Sequence, residues 1–242
     1  MPPSPLVPIS TEAASANVAL PRPTRPKALY EDKYLLVLVK PHEFLSVPGR
    51  GEDKLDSLAW RAQQYWRNAR IVHRLDMSTS GLLVLARSAQ VHRQLSIAFA
   101  ERRVHKRYVA VVAGAMAPPA TADGWGVIDK PLAFDWERRP LHIVDHDNGK
   151  PSQTRWRIAL PPVGAPTYAI PHTRLELEPV TGRTHQLRVH LQSMGHPILG
   201  DPLYAQDAAL RAAPRLLLHA RELGFTHPIT GEEMFFELPP DF

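Results

Sequence analysis

In the string HRLDMSTSG, residues 73–81, a single carboxylate stands among groups able to hold it still. Arg74 lies two positions before Asp76, Ser78, Thr79 and Ser80 offer hydroxyls that bond nearby backbone, and Gly81 opens conformations closed to other residues. The apolar GLLVLA that follows reads as a buried strand, so Asp76 would sit in a tight connection at the edge of a core. A carboxylate fixed in this way can act as nucleophile or base. Taken without context, the same string also fits an ordinary turn whose Asp bonds its own backbone.

A cation able to hold such an acid occurs in GRTHQLRVH, residues 182–190. Leu187, Leu191 and Met194, with Gly195 past the end and Pro197 beyond, predict a helix starting near Thr184. Arg183 would then enter the helix N-terminus, where its guanidinium and the free N–H groups both favour an anion such as Asp76. His185 and His190 are five apart and do not share a helix face as a zinc pair would. The chain has no cysteine, which excludes disulfides, zinc-thiolate sites and cysteine nucleophiles.

The elements that must position these groups are legible in outline. YLLVLV, residues 34–39, reads as a buried strand ended by Lys40-Pro41, and Lys40 fits either a solvated strand end or a site role. An amphipathic helix is predicted over 56–66, and Ser88 caps another that buries Val91, Leu95, Ala98 and Phe99. Arg102, Arg103, Lys106 and Arg107 cluster after it, either as a solvated basic end or as phosphate contacts. Tyr108 opens the strand YVAVVAG. In DWERRP, residues 135–140, Trp136 stands near Arg138 and Arg139, an arrangement suited to stacking bases and pairing phosphates, or to anchoring a surface loop. A strand over 141–144 with a hairpin turn at Asn148-Gly149, a proline-rich loop over 161–171 and a closing hairpin of 216–225 with 234–238 complete the chain. Without a regular β-α-β rhythm the fold class is α+β with a mixed, largely antiparallel sheet.

The 242 residues, 44% hydrophobic, are enough for a substantial core, and no run approaches the roughly 20 apolar residues needed to span a bilayer. The expectation is a soluble, cytoplasmic protein. A net charge of +5 and a pI of 9.6 favour a polyanion partner. Residues 1–27, with seven prolines and few large apolar groups, are expected to be a flexible tail.

His73-Arg74-Leu75-Asp76 followed by Thr79-Ser80-Gly81-Leu82-Leu83 closely resembles the catalytic motif of the RluA family of RNA pseudouridine synthases. Lys40-Pro41 resembles the first motif of that family, and 182–190 with GHPILGD at 195–201 its third, in the same order. The resemblance implies one catalytic domain over 28–242, a curved central sheet crossed by a cleft and flanked by helices; many relatives carry an S4-type RNA-binding domain before it, for which the tail of residues 1–27 is expected to be far too short. It implies a monomer that isomerises uridine to pseudouridine in structured RNA without metal or cofactor. Asp76 would be nucleophile or base, Arg183 its ionic partner, and Tyr108 would stack on the uracil. His73, Arg74 and Lys40 would line the base site, with Arg74 filling the space of an extruded base.

RNA contacts would fall to Arg102, Arg103, Lys106, Arg107, Trp136, Arg138 and Arg139. The 135–140 segment resembles the dual-specificity branch, which acts on a tRNA anticodon stem-loop and a stem-loop of 23S rRNA. His42-Glu43 departs from the family pattern, which has glycine two positions after the proline, and leaves that turn open. Two other readings stand beside this one: an RNA-binding or remodelling protein without catalysis, and a two-carboxylate hydrolase, for which no second acid lies in a comparable loop.

Overall fold

The computed structural model describes residues 23–51 and 54–242. In chain order the elements are β1 (Ala28–Glu31), β2 (Leu35–Lys40), α1 (Leu58–Tyr65), β3 (Arg70–Ile71), β4 (Ser80–Ala86), α2 (Ala89–Ala100), β5 (His105–Ala113), β6 (Gly126–Asp129), β7 (Leu132–Phe134) and β8 (His142–Val144). They continue with β9 (Gln153–Ile158), β10 (His172–Pro179), α3 (Gln186–Gln192), α4 (Asp207–Arg211), β11 (Leu218–Thr226) and β12 (Glu233–Glu237).

The strands β2 and β4 are apolar at nearly every position because both of their faces are covered. Side chains alternate across a strand, so Leu35, Val37, Leu82 and Val84 pack on one side with Val91 and Leu95 of α2. Leu36, Leu38, Leu83 and Leu85 pack on the other with Leu58 and Ala62 of α1. Ser57 and Ser88 cap the two helices, each accepting an N–H bond at 3.2 Å.

The main sheet runs β1-β2-β4-β11-β5-β10-β9-β6, with β12 on β11 and β3 on β4. Every pairing is antiparallel except β4 with β11, where Ser80 faces His219 and Gly81 faces Ala220. This seam lies directly behind the 73–79 connection. Gly81 has φ +122°, and a Cβ there would stand 2.6 Å from the Ala220 nitrogen, so no other residue allows the two backbones this approach. Ser80 Oγ lies 2.8 Å from His219 Nδ1, and the other ring nitrogen bonds Leu238 O at 3.0 Å, which pins the start of β4 to β11 and the C-terminal segment.

The fold class is the expected one; three local expectations change. Residues 23–27, assigned to a flexible tail, are docked: Tyr65 donates to Pro23 O at 2.5 Å, Arg25 lies 4.8 Å over the Trp66 ring, and Val39 N–H bonds Lys27 O. The rest of the tail expectation lies outside the described residues. Asn148-Gly149 does form a turn, closed by Gly149 N–H to Asp145 O, but the hairpin partner of β8 is β7, and Lys150 returns to bridge Leu132. The strand holding Tyr108 begins at His105, so Lys106 and Arg107 belong to it.

Candidate active site

The 73–79 connection, the start of β5 and the 179–188 segment enclose a cleft of about 500 Å³, within the range that takes a nucleotide-sized ligand. Asp76, Tyr108, Arg74, Arg102, Lys106, His185 and Arg188 line it. Asp76 arrives there because Thr79 N–H closes a turn on Asp76 O just before β4 begins.

The cation against Asp76 is Arg188, and the expectation for Arg183 is corrected. Arg188 Nη1 stands 3.4 Å from Asp76 Oδ2, while Arg183 is exposed on the cleft rim and, among the described residues, its side chain bonds Pro151 O at 3.4 Å. The helix begins at Gln186, two residues later than the periodicity suggested, and residues 186–191 are all buried. A helix enclosed on all sides carries its arginine inward, and Arg183 falls outside it. Arg188 is 2% exposed and forks onto Asp201, Nε to Oδ2 at 2.8 Å and Nη2 to Oδ1 at 2.6 Å. Asp201 is fully buried and also accepts the N–H groups of Leu203 and Tyr204. Burial opposes the charge on Arg188, but Asp201 and then Asp76 hold its pKa above the ordinary arginine value. Arg188, Asp201 and Tyr204 were missed as site residues in sequence; the one available signal was an arginine flanked by Leu187 and Val189 in an apolar run, which demands a buried partner.

Tyr108 lines the cleft from β5. Burial, and then the nearby Asp76, push its pKa well above the usual tyrosine range, so the ring is a neutral phenol. Phe99, expected in the core, also reaches the cleft wall and stacks on the His73 ring at 4.4 Å.

Of the residues expected at the base, His73 lines the cleft and also braces β4, whereas Lys40 lies behind the lining as a brace. His73 Nε2 accepts the Val84 N–H at 3.2 Å, and burial, followed by the charge of Lys106, pushes its pKa down to about 3. The ring is therefore neutral and no phosphate cation. Lys40 is fully buried, and its Nζ donates to Pro41 O, Phe44 O and Met77 O at 2.8, 2.6 and 2.8 Å. Three carbonyls match the three protons of an ammonium, and the bond to Met77 fixes the residue next to Asp76. Burial pushes the Lys40 pKa down to about 7, against the attraction of Asp76. The open turn beside it is resolved by Glu43, which takes φ 51°, the left-handed conformation glycine favours. Lys40→Met should leave the carbonyls of Pro41 and Phe44 without that donor, Met77 O keeping the Phe44 N–H, and destabilise the fold by about 2 kcal/mol or more, read as a lower urea midpoint. An unchanged midpoint would show that the lysine braces nothing.

The basic cluster divides because neighbouring residues of a strand face opposite ways. Lys106 faces the cleft with Arg102, whereas Arg107 lies on the reverse face, pairing Glu178 at 2.6 Å and Glu222 at 3.5 Å, and is corrected as an RNA contact. Arg103 is exposed and pairs Glu101 at 2.6 Å. Beyond the cleft, the β7–β8 hairpin carries Trp136, 69% exposed, with the Arg139 guanidinium 4.8 Å over its ring and Arg138 held by Asp135 at 2.7 Å. His142 of β8 anchors this arm to the cleft through Tyr204 and His185.

A carboxylate held by a buried arginine, at the floor of a trough with a cationic rim and a neutral aromatic wall, defines an enzyme that works on one unit of a polyanion through a single acid. The comparisons give that class its family. The family model described as RNA pseudouridylate synthase matches residues 34–193. The chain is 46% identical over 215 residues to the dual-specificity RNA pseudouridine synthase RluA of Escherichia coli (strain K12), covering 88% of this chain and 93% of that one. It is 45% identical over 225 residues to the protein of the same name from Vibrio vulnificus (strain CMCP6), covering 91% and 86%. Among solved structures it is similar to human RNA pseudouridylate synthase domain containing 1, with TM-score 0.71, 26% identity and coverage of 90% and 84%. Human RNA pseudouridylate synthase domain containing 4 gives TM-score 0.62 at 25% identity, covering 88% of each chain. The chain belongs to the RNA pseudouridylate synthase family and has its fold. Among the described residues, no helix is long and apolar enough to cross a membrane.

Proposed function

We propose that this chain isomerises uridine to pseudouridine in two kinds of RNA, a tRNA anticodon stem-loop and a stem-loop of 23S rRNA, acting as a cytoplasmic monomer. The observation that carries the reading is the Asp76–Arg188–Asp201 chain at the floor of the cleft, beside Tyr108. The two relatives above carry dual specificity in their names and span nearly the whole chain, which supports the pair of targets.

The reaction breaks the bond between ribose C1′ and N1, turns the freed uracil, and joins C5 to C1′, with the C5 proton lost and N1 protonated. Asp76 is the nucleophile or base. Arg188, itself fixed by Asp201, keeps that carboxylate in place. Tyr108 offers a flat wall on which the base stacks, and its raised pKa keeps its proton in place. A uridine in a stem-loop must leave its stack to reach the floor, and Arg74, exposed beside Asp76, is placed to fill the gap. Arg102 and Lys106 on the wall, and Trp136 with Arg139 on the arm, offer cations and a stacking face to the flanking strand.

Purified protein incubated with each stem-loop separately, with pseudouridine mapped at single-residue resolution, tests the reading. Product in both RNAs is the expected result; product in neither overturns the activity, and product in one alone overturns the dual target. For the rim, Arg102→Ala should weaken RNA binding and lower the slope of log K against log salt by about 1. An unchanged slope would assign Arg102 to solvent.

A further inference from the structure

His185 has no role in the reaction as described so far. It lines the cleft at the entry to α3 with φ 55°, a left-handed conformation costly for a residue with a side chain. Its Nδ1 stands 2.8 Å from the Tyr204 hydroxyl, and that hydroxyl accepts the backbone N–H of His142 at 2.9 Å. The hydroxyl has one proton to give, and among the described residues Nδ1 is the acceptor in reach of it. Donated to Nδ1, it leaves the imidazole hydrogen on Nε2, the nitrogen that has no protein partner among the described residues. Burial pushes the His185 pKa down to about 4, against the attraction of Asp76 and with the repulsion of Arg188, so the ring is neutral; burial likewise pushes Tyr204 up to about 12.

We propose that His185 contacts the substrate, its Nε2–H donating a hydrogen bond to a carbonyl oxygen of the target uracil, with Tyr204 as the positioning residue that fixes the tautomer. This rests on the pseudouridine synthase reading and deepens it. The chemistry calls for such a donor whichever route is followed. When C1′–N1 breaks, its electron pair goes to the ring and spreads onto O2 and O4. When a carboxylate adds to the ring instead, charge again reaches a carbonyl oxygen. A neutral donor stabilises either without having to be deprotonated or repelled. A phosphate is a poor occupant of the same place, because it would sit beside the Asp76 carboxylate, whereas Arg74, Arg102 and Lys106 offer it cations elsewhere on the wall.

The test is single-turnover pseudouridine formation with RNA affinity and thermal stability measured in parallel. His185→Phe keeps the ring shape without a donor and should slow turnover on the order of 100-fold at little change in affinity. His185→Gln places an amide N–H near the Nε2 position and should recover most of the rate. Tyr204→Phe removes the acceptor of the His142 N–H in either background, but it should slow the wild-type background several-fold more than the Gln background, since an amide has no tautomer to fix; a merely structural tyrosine would slow both alike. With unaltered protein, sulfur in place of O2 or of O4 of the target uridine should reduce the rate at one position, and that sensitivity should vanish in His185→Phe. Full turnover by a folded His185→Phe, no rescue by Gln, equal Tyr204 effects, or indifference to both sulfur substitutions would each overturn the proposal. Absence of pseudouridine with unaltered protein would instead strike the reading of function itself.

Discussion

Asp76→Asn is expected to lower pseudouridine formation on the order of 10⁴-fold or more, while RNA affinity changes by no more than a few-fold. The amide keeps the size of the carboxylate, and its oxygen can still accept from Arg188, so the turn closed by Thr79 N–H and the packing around Leu75 stay as they are. What the variant loses is the charge. An amide oxygen is a weak nucleophile and a weak base, and among the described residues no other acid lines the cleft to replace it. Single-turnover assays beside filter binding separate the two effects. Ordinary turnover in the Asn variant would remove Asp76 from the chemistry, and a parallel collapse of affinity would make it a binding residue.

Arg188→Met should show the second large effect, on stability and activity together. Asp201 is fully buried, and without the guanidinium it keeps only the two backbone N–H groups of Leu203 and Tyr204. Breaking a buried pair from one side costs about 3–5 kcal/mol, because an uncompensated charge stays behind. Removing both charges in Arg188→Met with Asp201→Leu should return part of that stability and none of the activity, since Asp76 still lacks its partner. Arg183→Ala, at an exposed position, should leave stability within about 0.5 kcal/mol. Urea midpoints with turnover measured on the same samples decide it. If Arg183→Ala alone abolished turnover while Arg188→Met folded and worked, the ionic partner would have to be reassigned.

The contrast between these arginines marks where reading the chain runs out. Periodicity located β2, β4 and α2 with their capping serine, because burial on one or both faces leaves a pattern in apolar residues. The order of three short motifs pointed to the family, and one acid among turn-forming residues singled out Asp76. Other expectations failed where two residues look alike in sequence but face different ways. Lys106 and Arg107 are adjacent cations, and only the start of β5 at His105 decides that the first faces the cleft and the second the reverse side. Lys40 looked like a strand-end cation, and only the carbonyls of Pro41, Phe44 and Met77 closing on its amine make it a brace.

Sequence by itself determined the class of fold and the family to which the chain belongs, and singled out the acid proposed for the chemistry, since all three depend on local pattern and residue type. Tertiary structure decided which arginine meets that acid, because the choice turns on two residues of helix register and on Asp201, thirteen positions away, being buried where Arg188 forks onto it. An ion pair across 112 residues leaves no trace in spacing; it exists only when folding brings the 73–79 connection against α3.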